Sequence, residues 1–157
     1  MQYPGYNSGK TNLAEGQSFP FKICKHLQLQ DGEWYYILQD VNGFKHFLPS
    51  EFYRDYSLSI GDEIICRIDK INCTGRIFLE PKHPFYQEGE NYLFSIAKPS
   101  DCDNTQVIYV HDMYRNCIQV PIYEKLKPEL FETNEIWCHV KTIRKGTPIL
   151  ELHRTNC

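Results

Sequence analysis

Two stretches of this chain repeat each other at a nearly fixed distance, and that repeat constrains the fold more than any other feature. Gly89-Glu90-Asn91-Tyr92 answers Gly16-Gln17-Ser18-Phe19 at an offset of 73. Asp112 answers Asp40, Val120-Pro121 answers Leu48-Pro49, Glu135-Ile136 answers Glu63-Ile64 and Cys138 answers Cys66, all at 72. Gly146 answers Gly75, and Leu150-Glu151 answers Leu79-Glu80, at 71. Identities that keep their order at turns and strand centres alike report a repeated architecture. A unit of about 60 residues buries only about 60% of its unfolded surface. Two such units are therefore expected to dock on one another, with Phe85 and Tyr86 of the connector between them.

Each unit reads as short strands. Phe19, Phe21, Ile23, Leu27 and Leu29 sit on one parity, with Lys22, Cys24, His26 and Gln28 on the other. That is the period of two of a half-buried strand, and Lys25 interrupts it. Asp31-Gly32 turns into an aromatic strand over 33–39, and Asn42-Gly43 is a hairpin signal because both residues tolerate positive φ. A third strand over 44–48 runs into Pro49-Ser50, where Ser50 is placed to cap a short helix over 51–56. Gly61-Asp62 opens a long strand over 63–71, with Ile64, Cys66 and Ile68 on one face. Thr74-Gly75 turns into a last short strand. The expected class is all-β: two tandem five-stranded OB-fold barrels, each with a short helix between strands 3 and 4. Their bounds are 18–81 and 90–153, joined by a connector over 82–89, with a flexible tail over 1–17 and another over 154–157.

Three stretches resemble the S1-type RNA-binding branch of OB-folds. Leu48-Pro49-Ser50-Glu51-Phe52 is similar to the S1 strand that runs into a Ser-Glu-Leu helical turn. Leu58-Ser59-Ile60-Gly61-Asp62-Glu63-Ile64 is similar to its apolar residue, Gly-Asp and following strand. Asn72 to Leu79 is similar to its closing turn and strand, though Leu79 is followed by Glu80 and not Ser. The resemblance covers about residues 18–81 and is fainter over 90–153, where Glu132-Thr133-Asn134 replaces the Gly-Asp turn. It implies an aromatic on the second strand and a His on the third facing RNA. The His position falls on Leu48, and His46 shares its parity two residues earlier.

OB-folds bind oligonucleotides on the second and third strands and the flanking loops. The expected nucleic-acid face of the first unit is Trp34, Tyr36, Phe44 and His46, with Lys45 and Arg67 meeting phosphates and Tyr53 and Tyr56 extending the platform. Lys141, Arg144 and Lys145, with Arg154, form a secondary basic cluster at a turn. The chain carries 17 basic and 20 acidic residues and a net charge of −3. Tight nonspecific binding to a phosphate backbone is therefore not expected from composition.

No catalytic constellation stands out. His111 and Asp112 are adjacent on a strand, so they point to opposite faces and cannot orient each other as a dyad requires. Gly5 to Thr11 nearly spells a phosphate loop but has three residues between its glycines where the motif needs four. The seven cysteines are odd in number and contain no Cys-x-x-Cys pair. They read as reduced thiols of a cytoplasmic protein without a metal site or cofactor. No apolar run approaches the roughly 20 residues of a membrane helix, and residues 1–16 lack the apolar core of a secretory leader. The reading is a non-catalytic module for single-stranded nucleic acid, RNA before DNA, with a protein-interaction module or an accessory piece of a larger nucleic-acid-processing assembly as the alternative. The 11 tyrosines favour that alternative, because Tyr suits interfaces.

Overall fold

The computed structural model describes residues 11–97, 107–123, 125–126 and 128–154, with the side chains of residues 130 and 131 excepted. Most of the expected N-terminal tail, with Cys102 and Cys157, lies outside the described residues. The chain divides into two compact units, Met1–Lys82 and His83–Cys157. The first contains β1 (Ser18–Gln28), β2 (Trp34–Gln39), β3 (Lys45–Pro49), β4 (Glu63–Ile71) and β5 (Ile77–Pro81). The second contains β6 (Asn91–Ile96), β7 (Val107–His111), β8 (Cys117–Pro121), β9 (Glu135–Arg144) and β10 (Thr147–Leu152). Helix is scarce: a kinked 3-10 turn at Glu51–Tyr56, and α1 at Glu129–Thr133.

Each unit is one antiparallel sheet with its first strand at the centre. The orders are β3-β2-β1-β4-β5 and β8-β7-β6-β9-β10, so the second repeats the first. In the second unit the edge strands β8 and β10 come alongside each other and nearly close a barrel; in the first, β3 and β5 approach more sparsely. The hydrogen bonds repeat as well. The Ile68 backbone bonds Gly16 and Gln17, and the Val140 backbone bonds Gly89 and Glu90. Asp69 in β4 and Lys141 in β9 are the extra residues at bulges where the pairing skips a position.

Equivalent apolar residues fill both cores: Phe21 and Phe94, Ile23 and Ile96, Leu38 and Val110, Leu48 and Val120, Cys66 and Cys138. Burial pushes the Cys138 thiol up to about 12. The Cys66 thiol is also raised, by burial first and then by Glu80. Both behave as small apolar side chains. The cores differ in what completes them. In the first unit Tyr53 and Tyr56 enter from the 3-10 turn, and the Tyr53 hydroxyl donates to buried Glu80. In the second, Tyr86 fills the space from before β6, stacking on Phe94 at 5.3 Å. Tyr86 thus belongs to the second unit's core, where the sequence suggested a connector residue between units. Ser50 does not cap the 3-10 turn; its hydroxyl donates to the Trp34 carbonyl at 3.1 Å.

Three hairpin turns share one construction. Asp40 Oδ1 accepts the amides of Asn42 and Phe44 at 2.8 and 3.0 Å. Asn72 Oδ1 does the same for Thr74 and Arg76, and Asp112 Oδ1 for Tyr114 and Asn116. The fourth residue of each turn has positive φ, supplied by Gly43 and Gly75 but by Arg115 in the second unit. A short Asx side chain satisfies amides that the tight turn would strand. Asp40 Oδ2 also meets His46 Nε2 at 2.7 Å, with the Asp40 side chain 1% exposed. Replacing Asp40 by Ala removes the acceptor of the Asn42 and Phe44 amides and the partner of His46, all part-buried or exposed, and is expected to lower the unfolding free energy by about 2 kcal/mol. Asp40→Asn keeps an acceptor for the turn and is expected to lose about half as much, both read by urea denaturation.

His83 sits almost fully buried at the start of the second unit. Its Nδ1 accepts the amides of Phe85 and Tyr86, both at 3.0 Å, so the fitting form is neutral with its proton on Nε2. Burial lowers its pKa, with Asp112 partly opposing. A folded-state pKa below the unfolded value gives stability that is complete above about pH 6.5 and is lost as the pH falls. Thermal unfolding of the second unit is expected to drop between pH 7.5 and 5.5. His83→Asn, whose Oδ1 can accept in place of Nδ1, is expected to flatten that dependence.

Candidate nucleic-acid interface

The register of β1, β2 and β3 decides which side chains meet, because cross-strand partners share a face. One face carries the rows Lys22–Gln39–Lys45, Lys25–Ile37–Phe47 and Leu27–Tyr35–Pro49. The other carries Ile23–Leu38–His46 and His26–Tyr36–Leu48, followed by the pair Gln28–Trp34. Ile23, Leu38 and Leu48 are core residues, so the second set faces inward and the first faces out. A bulge lies between Ile23 and Lys25 in β1. Its extra residue, Cys24, shifts the strand's parity. Beyond it Leu27 turns outward and His26 inward, which breaks the continuous alternation expected over 19–29.

The predicted site residues therefore separate. Lys45 is on the outer face, whereas Trp34 and Tyr36 lie on the inward one. His46 has a side chain only 13% exposed, bonded to Asp40 and edge-on to Phe21 at 6.0 Å; it packs as a structural residue. Phe44 is 57% exposed beside the β2–β3 turn. Arg67 is outward on β4 and reaches Asp69 at 3.4 Å. Its β1 partner is Ser18, four positions from Lys22 and so roughly 13 Å further along the strand. Tyr53 and Tyr56 are buried in the core and add nothing to a platform.

The outer rows bring together residues that the sequence reading passed over. Tyr35 and Phe47 meet edge-to-face at 6.0 Å, and Phe47 is 46% exposed. Lys22, Lys25 and Lys45 are exposed around them, with Glu63 at the end of the Lys22 row. The Tyr35 hydroxyl donates to Asp31 Oδ2 at 3.0 Å, which holds the ring and raises its pKa. The signal that could have found this face was the interrupting Lys25 itself, since a charge on the apolar parity marks a change of face.

Beside the outer rows a cleft of about 960 Å³ runs along the free edge of β3. Phe44 to Phe47, Asp31 in the β1–β2 loop and Thr74 to Ile77 around the β4–β5 turn line it, with Thr11 to Leu13 as the far wall. That wall was expected as flexible tail. The Asn42 side chain accepts the Thr11 amide at 2.8 Å and donates to its carbonyl at 2.7 Å, and Glu15 takes the Ile71 amide at 2.8 Å.

In the second unit Lys141, Arg144 and Lys145 are exposed at the end of β9 and its turn. Asp112 spends its carboxylate on Tyr114 and on the backbone and side chain of Asn116, away from any work with His111. Among the described residues no group of three or more His, Cys, Asp or Glu gathers to hold a metal, and no helix is long and apolar enough to cross a membrane. Comparison with family models, curated proteins and solved structures finds no match.

Proposed function

We propose that both units are OB-folds of the S1-like branch, and that the first is a non-catalytic binder of single-stranded nucleic acid, RNA in preference to DNA. The strand order, with β1 central and β3 and β5 at the edges, supports the fold. The observation that carries the function is the outer face of β1–β3, where partly buried Tyr35 and exposed Phe47 are ringed by three lysines. Bases stack on Phe47 and Tyr35, at about 1–3 kcal/mol per base. Lys22, Lys25 and Lys45 neutralise phosphates, and Arg76 extends the track from the β4–β5 loop. The local cluster gives binding that the acidic whole would not. Lys141, Arg144 and Lys145 add backbone contacts. The reading is of a cytoplasmic protein with reduced thiols.

A second reading, a protein partner, is favoured by the free edge of β3 beside the cleft. By antiparallel alternation, Lys45 and Phe47 turn their backbone groups toward that edge, where an extended peptide would pair.

Fluorescence anisotropy with labelled single-stranded RNA and DNA tests the first reading. Micromolar binding that weakens with salt is expected, tighter for RNA through its 2′-hydroxyls. Phe47→Ala is expected to cost about tenfold or more, and each of Lys25→Glu and Lys45→Glu to flatten the salt slope by about one. Trp34→Ala, on the opposite face, is expected to leave affinity unchanged. Absence of binding at low salt, where attraction is strongest, rejects the reading and leaves the peptide edge.

A further inference from the structure

The inward-facing aromatics of β1 and β2 form a second site that owes nothing to the nucleic-acid face. His26 stacks on Tyr36 at 4.3 Å and 16°, and lies 5.1 Å from Trp34. Trp34 is left half exposed. These rings form one side of a cleft of about 500 Å³, with Glu33, Ser50, Glu51 and Arg54 around it. The β1 bulge is what brings His26 here; with unbroken alternation it would face the other way. Bulges that re-aim a side chain are common beside binding sites.

We propose that this cleft binds an onium group, the head of a methylated lysine side chain on a partner protein. Aromatic faces attract cations through their quadrupole; His26 and Tyr36 cover one another by stacking, so half-exposed Trp34 is the ring offered to the ligand, and the carboxylates of Glu33 and Glu51 add attraction of the same sign. Arg54 is the single opposing charge, carried on a long flexible stem. A phosphate would meet both carboxylates and the negative ring faces. A neutral base would stack on Trp34 without gaining anything from the acids. Methylation spreads the charge over a bulky apolar head, which suits a half-dry aromatic wall better than a strongly hydrated primary ammonium does.

The test follows the Trp34 indole N–H by NMR on the full chain, assigned through Trp34→Phe. The probes are tetramethylammonium chloride, its neutral isostere 3,3-dimethylbutan-1-ol, and adenosine monophosphate. Saturable binding of the onium is expected, at least about tenfold tighter than the isostere. Glu33→Gln and Glu51→Gln, both at exposed positions that leave the fold intact, are each expected to weaken it severalfold. An acetyl-trimethyllysine amide is expected to bind more tightly than choline, which identifies the source as a protein side chain. Equal binding of onium and isostere, tighter binding of the nucleotide, preference for choline, or no saturable shift each overturns the proposal. RNA affinity measured with tetramethylammonium present, against a sodium chloride control of equal ionic strength, is expected not to change. Failure at this site therefore leaves the outer-face reading standing, and failure there leaves this one.

Discussion

The extra residue in β1 is the constraint on which the rest of the first unit depends. One inserted position at Cys24 moves Lys25 and Leu27 to the outside and His26 to the inside. Without it, a lysine would point inward and the aromatic stack would lose its middle ring. The bulge sorts the residues of one hairpin into a cationic sheet face and an aromatic cluster on the opposite face. Two chemistries thus stand back to back on the same two strands.

The second unit shows the same scaffold with other side chains in those places. It keeps the strand order, the Asx-held turn at Asp112 and the bulge at Lys141. Its third strand has Ile118 and Val120 where the first unit has His46 and Leu48. The carboxylate that engages His46 in the first unit engages Asn116 in the second. The hub is thus a structural device of the turn, which the first unit extends to a neighbouring strand.

Sequence periodicity made the two units, their strands and most core positions legible, because burial writes itself into alternation at Ile64, Cys66 and Ile68 and again at Ile136, Cys138 and Val140. The site was less legible for a definite reason. Alternation tells which residues share a face, but a single skipped position reverses the assignment for everything beyond it. Trp34, Tyr36 and Lys45 group together in sequence as residues of the second and third strands, where OB-folds bind; pairing puts Lys45 opposite Gln39 and Tyr36 opposite Leu48. The burial of Tyr53 was hidden for a different reason. A 3-10 turn has three residues per turn, and a six-residue stretch is too short to show that period. The pinning of Thr11 depends on Asn42, 31 residues away, and no local pattern announces such a contact.

The position of β3 at the end of its sheet among the described residues has a bearing on how the protein behaves in concentrated solution. A bare strand edge is a template for another copy of the same strand, and natural sheets commonly blunt it with lysine. Lys45 sits on that edge between exposed Phe44 and Phe47, the two side chains most inclined to draw copies together. Its ammonium repels the same group on an incoming molecule. A substitution that removes the charge of Lys45 would therefore act twice, on the phosphate contact of the binding reading and on the repulsion between like edges.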